Sequence, residues 1–165
     1  MDGIRAFWNG STLYSKTGKI LPVPDEFTCS LPKDVSLDGE LWAGYDTFSK
    51  LSSIFKRSTS NQSTLPDHWR VVKYSVFDAP MCEGSYPERH SFAQASISEC
   101  SPHICMIPLE HCLGLTHLHT KLQELSKTKG EGVMLYHPTA AYTPGRTGNL
   151  LKAKVYMEED VKFVE

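Results

Sequence analysis

The chain has 165 residues, the size of one domain, and can bury a core without support from metal ions or disulfides. Its hydrophobic content of 40%, charged content of 22% and net charge of −2 are ordinary for a globular protein. These numbers exclude a broad cationic field, so nucleic acid could be held only by a local basic patch, and no apolar run approaches the roughly 18 residues of a membrane helix.

The first forty residues predict short strands joined by turns. Ile4–Trp8 is the first predicted strand, Asn9-Gly10 is a two-residue hairpin signal, and residues 12–16 form the return strand. Three prolines then indicate an irregular connection. Leu37–Trp42 follows as the next predicted strand.

The middle of the chain predicts a helix, a loop and a strand. Apolar residues recur at helical spacing after Asp46-Thr47, a candidate N-cap, and predict about ten helical residues. The repeating positions are Phe48, Leu51 and Phe55. Residues 57–67 are rich in Ser, Thr, Asn and Gln and predict a mobile surface loop. Residues 69–77 predict a buried strand.

Two helices are predicted in the second half. Residues 87–97 are expected to be helical, with Tyr86 and Phe92 as candidates for the core face. A second helix has an amphipathic stripe and is expected to end at Gly130 as its C-cap. The stripe consists of Leu115, Leu118, Leu122 and Leu125.

Two more strands follow, at residues 133–136 and 150–156. Helices are interspersed irregularly among the strands, without the strict alternation of a parallel sheet. The pattern therefore predicts an α+β fold of mainly antiparallel sheets flanked by helices, in a single domain.

The five cysteines are irregularly spaced and form no CxxC pair. Three of them cluster with two histidines, as Cys100, His103, Cys105, His111 and Cys112. A zinc site is the specific interpretation of this cluster, but the spacings match no usual structural zinc pattern. Free thiols in a reducing compartment are the favoured interpretation.

Five short motifs lie on or beside predicted strands. They are Asp2-Gly3-Ile4-Arg5, Asp38-Gly39-Glu40-Leu41, Tyr74-Ser75-Val76-Phe77-Asp78, Glu131-Gly132-Val133-Met134-Leu135 and Leu150-Leu151-Lys152-Ala153-Lys154. Their order and separation resemble the nucleotidyltransferase domain of ATP-dependent DNA ligases, and the segments 39–44 and 142–147 look most like the minimal bacterial type. The resemblance implies the nucleotidyltransferase (ATP-grasp-like) fold and a monomer that uses ATP and Mg²⁺ to seal nicked duplex DNA in repair and replication.

Lys152 and Lys154 stand two residues apart on a strand, so both side chains point to the same face. Two converging ammonium groups suit an α-phosphate, where charge develops during nucleotidyl transfer. The alternative is an exposed basic edge strand. The resemblance favours the phosphate-stabilising role.

The same resemblance assigns four residues to ATP and its metal. Glu40 is expected to contact the ribose and Glu131 to bind Mg²⁺, and either carboxylate suits a metal ion. Phe77 is expected to stack on the adenine, and Arg5 to contact the ribose. The alternatives are surface carboxylates for the two glutamates and plain core packing for Phe77.

Two basic residues are expected to contact DNA. Lys16 falls where these ligases usually carry an arginine for the 5′-phosphate of the nick, and lysine lacks the bidentate fork of arginine. Arg146 is expected to reach the nick backbone. Each could equally be a solvated surface charge.

Asp-Gly-x-Arg is also the end of Lys-x-Asp-Gly-x-Arg, whose lysine carries AMP in the family. By the resemblance this lysine would directly precede Met1, and a following OB-fold domain is expected that the 165 residues do not include. We expect a truncated ligase core that cannot adenylate itself. The alternatives are a non-catalytic nucleotide- or nick-binding remnant, and an RNA ligase or capping-type nucleotidyltransferase.

Overall fold

The computed structural model describes residues 3–57 and 65–154 of the chain. The strands are β1 (Ile4–Trp8), β2 (Leu13–Ser15), β3 (Leu37–Trp42), β4 (Lys73–Asp78), β5 (Ile104–Met106), β6 (Gly132–Tyr136) and β7 (Leu150–Lys154). The helices are α1 (Asp25–Thr28), α2 (Phe48–Arg57), α3 (Tyr86–Ser96) and α4 (Leu115–Lys127), with a 3₁₀ turn at Asp67–Trp69. Within these residues no helix is long and apolar enough to cross a bilayer.

Five strands form the main sheet, in the order β2-β1-β3-β4-β5, and β6 pairs with β7 in a separate small sheet. Every pairing in the two sheets is antiparallel except that of β4 with β5, which follows the crossover through α3. The predicted α+β class with mainly antiparallel sheets is confirmed. The parallel strand β5 was not predicted.

The core lies on one face of the main sheet. Ala6 and Trp8 of β1 point into it, while Arg5 and Phe7 alternate to the opposite face. The wholly buried Phe27 and Trp69 meet edge to face, with ring centroids 5.2 Å apart. This packing leaves the second face of the sheet available for polar side chains.

Three local predictions for the first eighty residues need correction. The register pairs Trp8 with Leu13, so the hairpin loop has four residues rather than two, and Asn9 Oδ1 accepts the backbone N–H groups at positions 11 and 12. The proline-rich connection contains the short helix α1. The predicted strand at 69–77 begins only at Lys73, because the 3₁₀ turn buries Trp69 first.

The predicted mobile loop at 57–67 overlaps described structure only at its ends. Arg57 is the last residue of α2, and Leu65 donates its backbone N–H to Glu26 at 2.6 Å. Asp67 begins the 3₁₀ turn. The rest of that prediction, and residues 155 and 156 of the last predicted strand, lie outside the described residues.

Helix α4 ends in a Schellman motif, but the left-handed residue is not the one predicted. Lys129 has φ 59°, and Gly130 donates its N–H to the Leu125 carbonyl at 2.7 Å. Only Leu122 of the apolar stripe is buried, and Leu115 is exposed. Phe92 on α3 is also exposed, so its predicted core role is wrong.

Candidate functional site

An open cleft of about 440 Å³ lies on the second face of the main sheet, beside the small sheet. It brings together five of the residues predicted for ATP, metal and DNA. These are Arg5, Lys16, Glu40, Glu131 and Lys152. They come from β1, β3, the turn after β2, the residue before β6 and strand β7, so the topology unites residues that are up to 147 positions apart.

A carboxylate between two ammonium groups forms the small-sheet side of the cleft. Lys152 and Lys154 both donate from Nζ to Glu131 Oε1, at 2.9 and 2.8 Å. Hydrogen bonds from Lys154 and Lys152 lower the pKa of Glu131 to about 2. The predicted common face of the two lysines is confirmed, and the cluster carries one net positive charge.

Glu40 is held against the start of β1. Its Oε1 accepts the backbone N–H of Gly3 at 2.6 Å. A Cβ atom at position 3 would lie 2.3 Å from the Leu41 carbonyl oxygen and 2.8 Å from Glu40 Oε1, so glycine is required there. The register places Arg5 directly opposite Glu40, on the same face of the sheet.

Arg5 is fixed by an acidic partner that sequence reasoning missed. Its Nε and Nη2 both donate to the buried carboxylate of Asp38. The hydrogen bond with Asp38 raises the pKa of Arg5. Asp38 also accepts the Tyr142 hydroxyl at Oδ2, at 3.0 Å. The sequence placed Asp38 in a motif together with Glu40, but nothing in the pattern assigned a role to Asp38.

Phe77 lies beside Arg5 at the end of β4. The Arg5 Cζ atom is 5.9 Å from the centroid of the Phe77 ring, and the ring is half-buried. The residue does not line the cleft itself. Phe77 is therefore partly packed and lies next to Arg5, at the edge of the cleft rather than in its lining.

A buried ion pair joins α3 to β4 of the main sheet and to the loop after β6. Arg89 donates to both oxygens of Asp78, at 2.8 and 3.1 Å, and through Nη1 to the carbonyls of Gly84 and Ala140. Both charged side chains are buried. No sequence pattern singled out Arg89, because its partners lie five to 51 residues away.

Two stacked tyrosines connect α3 to β6 of the small sheet. The rings of Tyr86 and Tyr136 stack with centroids 3.5 Å apart, and the Tyr86 hydroxyl donates to the Phe77 carbonyl at 3.0 Å. Burial raises the pKa of Tyr136 to about 12. The stack attaches β6 to α3, so the cleft has a defined wall on the small-sheet side.

Arg146 and the histidine–cysteine cluster lie elsewhere. Arg146 is exposed in the loop between β6 and β7 and does not line the cleft. His103 stacks on Phe27 and Cys105 lies beside Ser75. In the part of the chain that the structure describes, no group of three or more His, Cys, Asp or Glu residues is placed to hold a metal ion.

The sequence matches no family model. It is 32% identical over 165 residues to a DNA ligase of Haemophilus influenzae, an alignment that covers 99% of this chain and 59% of that relative. The chain thus spans about three fifths of the length of the curated relative that it matches.

Solved structures give the same result for the fold. A structure from an analysis of how Lig E DNA ligases bind DNA with a minimal scaffold has a TM-score of 0.83 and 30% identity, covering 94% of this chain and 59% of the other. The Chlorella virus DNA ligase-adenylate has a TM-score of 0.70 and 24% identity, with coverage of 92% and 59%. Over nearly its whole length the chain is therefore similar to part of these DNA ligases, and it has the fold of their nucleotidyltransferase domain, with mainly antiparallel sheets and flanking helices.

Proposed function

We propose that this chain is the nucleotide-binding core of an ATP-dependent DNA ligase, which transfers AMP and seals nicks in duplex DNA. The observation that carries the proposal is the cleft that unites Arg5, Glu40, Glu131 and Lys152. The motifs of the sequence independently predict that each of these residues contacts ATP or its metal ion. An RNA ligase or capping-type activity is not favoured, because the similar proteins are DNA ligases.

The two lysines are proposed to hold the phosphates. Lys152 and Lys154 already converge on one oxygen of Glu131, so the same two Nζ groups can converge on an α-phosphate oxygen. Both side chains are partly exposed and can therefore exchange a carboxylate for a ligand oxygen. Cationic groups placed in advance stabilise the charge that develops during transfer.

The carboxylates of Glu40 and Glu131 fit a magnesium ion. Both line the same cleft and offer the oxygen ligands that Mg²⁺ prefers. When bound, the ion would neutralise phosphate charge and polarise the reacting group. Glu131 would then contact the ion instead of its two lysine partners. Glu40 could bind the ion while its Oε1 still accepts the backbone N–H of Gly3.

Adenine is proposed to stack on Phe77, with Arg5 on the ribose. Phe77→Ala should weaken AMP binding by about 1–3 kcal/mol, the value of one base–aromatic stack. Isothermal titration calorimetry measures this, and Phe92→Ala on the exposed side of α3 serves as the matched control. Unchanged affinity in Phe77→Ala would reject the stacking role.

Self-adenylation is proposed to require a lysine directly before Met1. With that lysine added, radiolabelled ATP should leave a covalent label that resists denaturation, because an amine would then complete the motif. The 165-residue sequence serves as the comparison and should stay unlabelled. Equal labelling of the two chains would place the nucleophile elsewhere.

Nicked DNA is the proposed second substrate, contacted by Lys16 at the cleft and Arg146 in the exposed loop. Few phosphate contacts predict weak binding that falls steeply with salt. Fluorescence anisotropy with a pre-adenylated nick should show a reduced salt slope in Lys16→Gln and in Arg146→Gln. A slope equal to that of the unmodified chain in both variants would argue against these contacts.

A further inference from the structure

The carboxylate of Asp38 is shared by two donors from distant parts of the chain. Arg5 of β1 donates to both of its oxygens, and Tyr142 donates its hydroxyl to Oδ2 at 3.0 Å. Asp38 itself is buried. The Tyr142 hydroxyl therefore belongs to the network that positions a residue lining the cleft.

Tyr142 lies in the loop of residues 137–149, called here the β6–β7 loop, whose first part is attached to α3. Arg89 Nη1 donates to the Ala140 carbonyl at 2.7 Å, and Tyr86 donates its backbone N–H to Pro138 at 3.3 Å. The Arg89 guanidinium also lies 6.0 Å from the Tyr142 ring centroid. The ring thus has contacts of its own, and removing only the hydroxyl tests the hydrogen bond to Asp38.

The hydroxyl fixes the plane of the Asp38 carboxylate. Rotation of that carboxylate would break the bond from Tyr142 and misalign the paired bonds from Arg5. Hydrogen bonds to a buried charged acceptor are stronger than neutral ones. The side chain of Arg5 is still 45% exposed and lines the cleft, so its remaining edge can meet a ligand whose position depends on that plane.

We propose that Tyr142 is a positioning residue that orients Arg5, through Asp38, for the ribose of a bound adenine nucleotide. The inference rests on the proposed function, and adds to it a residue outside the motifs. It also links the ribose site to the β6–β7 loop that carries Arg146. Because such coupling is reciprocal, nucleotide binding should order the loop, and order in the loop should favour nucleotide binding.

Tyr142→Phe separates a positioning role from a packing role. AMP and 2′,3′-dideoxy-AMP are titrated calorimetrically against the unmodified chain and the variant. The preference for AMP should fall by about threefold to tenfold in the variant, less than the loss of a whole charged hydrogen bond because Arg5 is still present but less well oriented, while the dideoxy affinity stays constant. Arg5→Gln should abolish the preference, and the exposed Tyr45→Phe should preserve it.

A second measurement needs no nucleotide. Limited trypsin digestion of the folded chain reports the mobility of the β6–β7 loop through cleavage after the exposed Arg146. Tyr142→Phe should raise the rate of that cleavage several-fold, and cleavage after Lys127 at the end of α4 is the internal reference. Circular dichroism confirms that the variant is folded.

The outcomes are distinct. Equal weakening of AMP and dideoxy-AMP, or an unchanged preference, overturns the positioning role. If the unmodified chain binds neither nucleotide, the proposed function fails, and the ribose role of Tyr142 fails with it. The digestion then tests separately whether Tyr142 anchors the β6–β7 loop. An unchanged cleavage rate after Arg146 would show that it does not.

Discussion

Two carboxylates in this molecule make nearly the same hydrogen bonds in opposite surroundings. Asp78 accepts from Arg89 at 2.8 Å, and both side chains are 3% exposed. Glu131 accepts from Lys154 at 2.8 Å and from Lys152 at 2.9 Å, with 34% of its own side chain and more than 40% of each lysine exposed. Distance therefore does not distinguish the two clusters, but access to solvent does.

The difference separates a structural cluster from a ligand site. Arg89 places its other two hydrogen bonds on the Gly84 and Ala140 carbonyls, so all three nitrogens of the guanidinium donate inside the protein. The lysines at Glu131 are single-point donors that water or a phosphate can reach. A buried pair whose partner is removed leaves a costly charge, whereas an exposed pair contributes little.

The largest effect should come from breaking the buried cluster. Arg89→Met leaves Asp78 buried without its cation, and should lower the free energy of unfolding by about 3–5 kcal/mol. Urea denaturation followed by circular dichroism measures the change. Arg70→Met removes the exposed pair with Asp67 and should change stability by less than about 0.5 kcal/mol. If the two variants lose similar stability, burial is not what separates the clusters.

Breaking the exposed cluster should affect ligand binding far more than folding. The double variant Lys152→Gln with Lys154→Gln should change the unfolding free energy by less than about 1 kcal/mol. Its affinity for AMP should fall by about tenfold or more, because two charge-assisted bonds to phosphate are lost. Adenosine, which has no phosphate, is the matched ligand and should bind as before. An equal loss for adenosine would show that the lysines shape the pocket rather than hold phosphate.

Sequence patterns predicted the exposed cluster much better than the buried one. The alternation of a strand alone puts Lys152 and Lys154 on one face, and the resemblance assigned Glu131 to the same ATP site. Arg89 sits in a helix with nothing in its neighbours to indicate burial, and it contacts Ala140 across 51 residues. Local periodicity carries no information about such pairings, which arise only when the elements pack.

Long sequence separation also explains why the protein partners of Arg5 were not predicted. Arg5 was expected to contact the ribose of a ligand, and the structure adds a protein partner that was not expected, Asp38, with Tyr142 behind it. Tyr142 and Asp38 are 104 residues apart. The parallel strand β5 was missed because its three residues are too short for a periodic pattern. The strands that carry motifs were found because each is long enough to alternate.

The smallest predicted effect on stability concerns the exposed ion pair of Lys129 with Asp46. Its N–O distance equals that of the buried pair of Arg89 with Asp78. Lys129 donates to Asp46 at 2.8 Å with both side chains largely exposed, and Lys129 also holds the left-handed position after α4. Lys129→Gly removes the pair but relieves the backbone strain, so it should stabilise the fold by about 0.5–1 kcal/mol. Lys129→Ala keeps the strain and removes only the pair, and should change stability by less than about 0.5 kcal/mol. Thermal denaturation of both variants separates the two contributions. A loss above about 1 kcal/mol in Lys129→Ala would mean that exposed ion pairs stabilise this fold, and the contrast between Asp78 and Glu131 would then need another explanation.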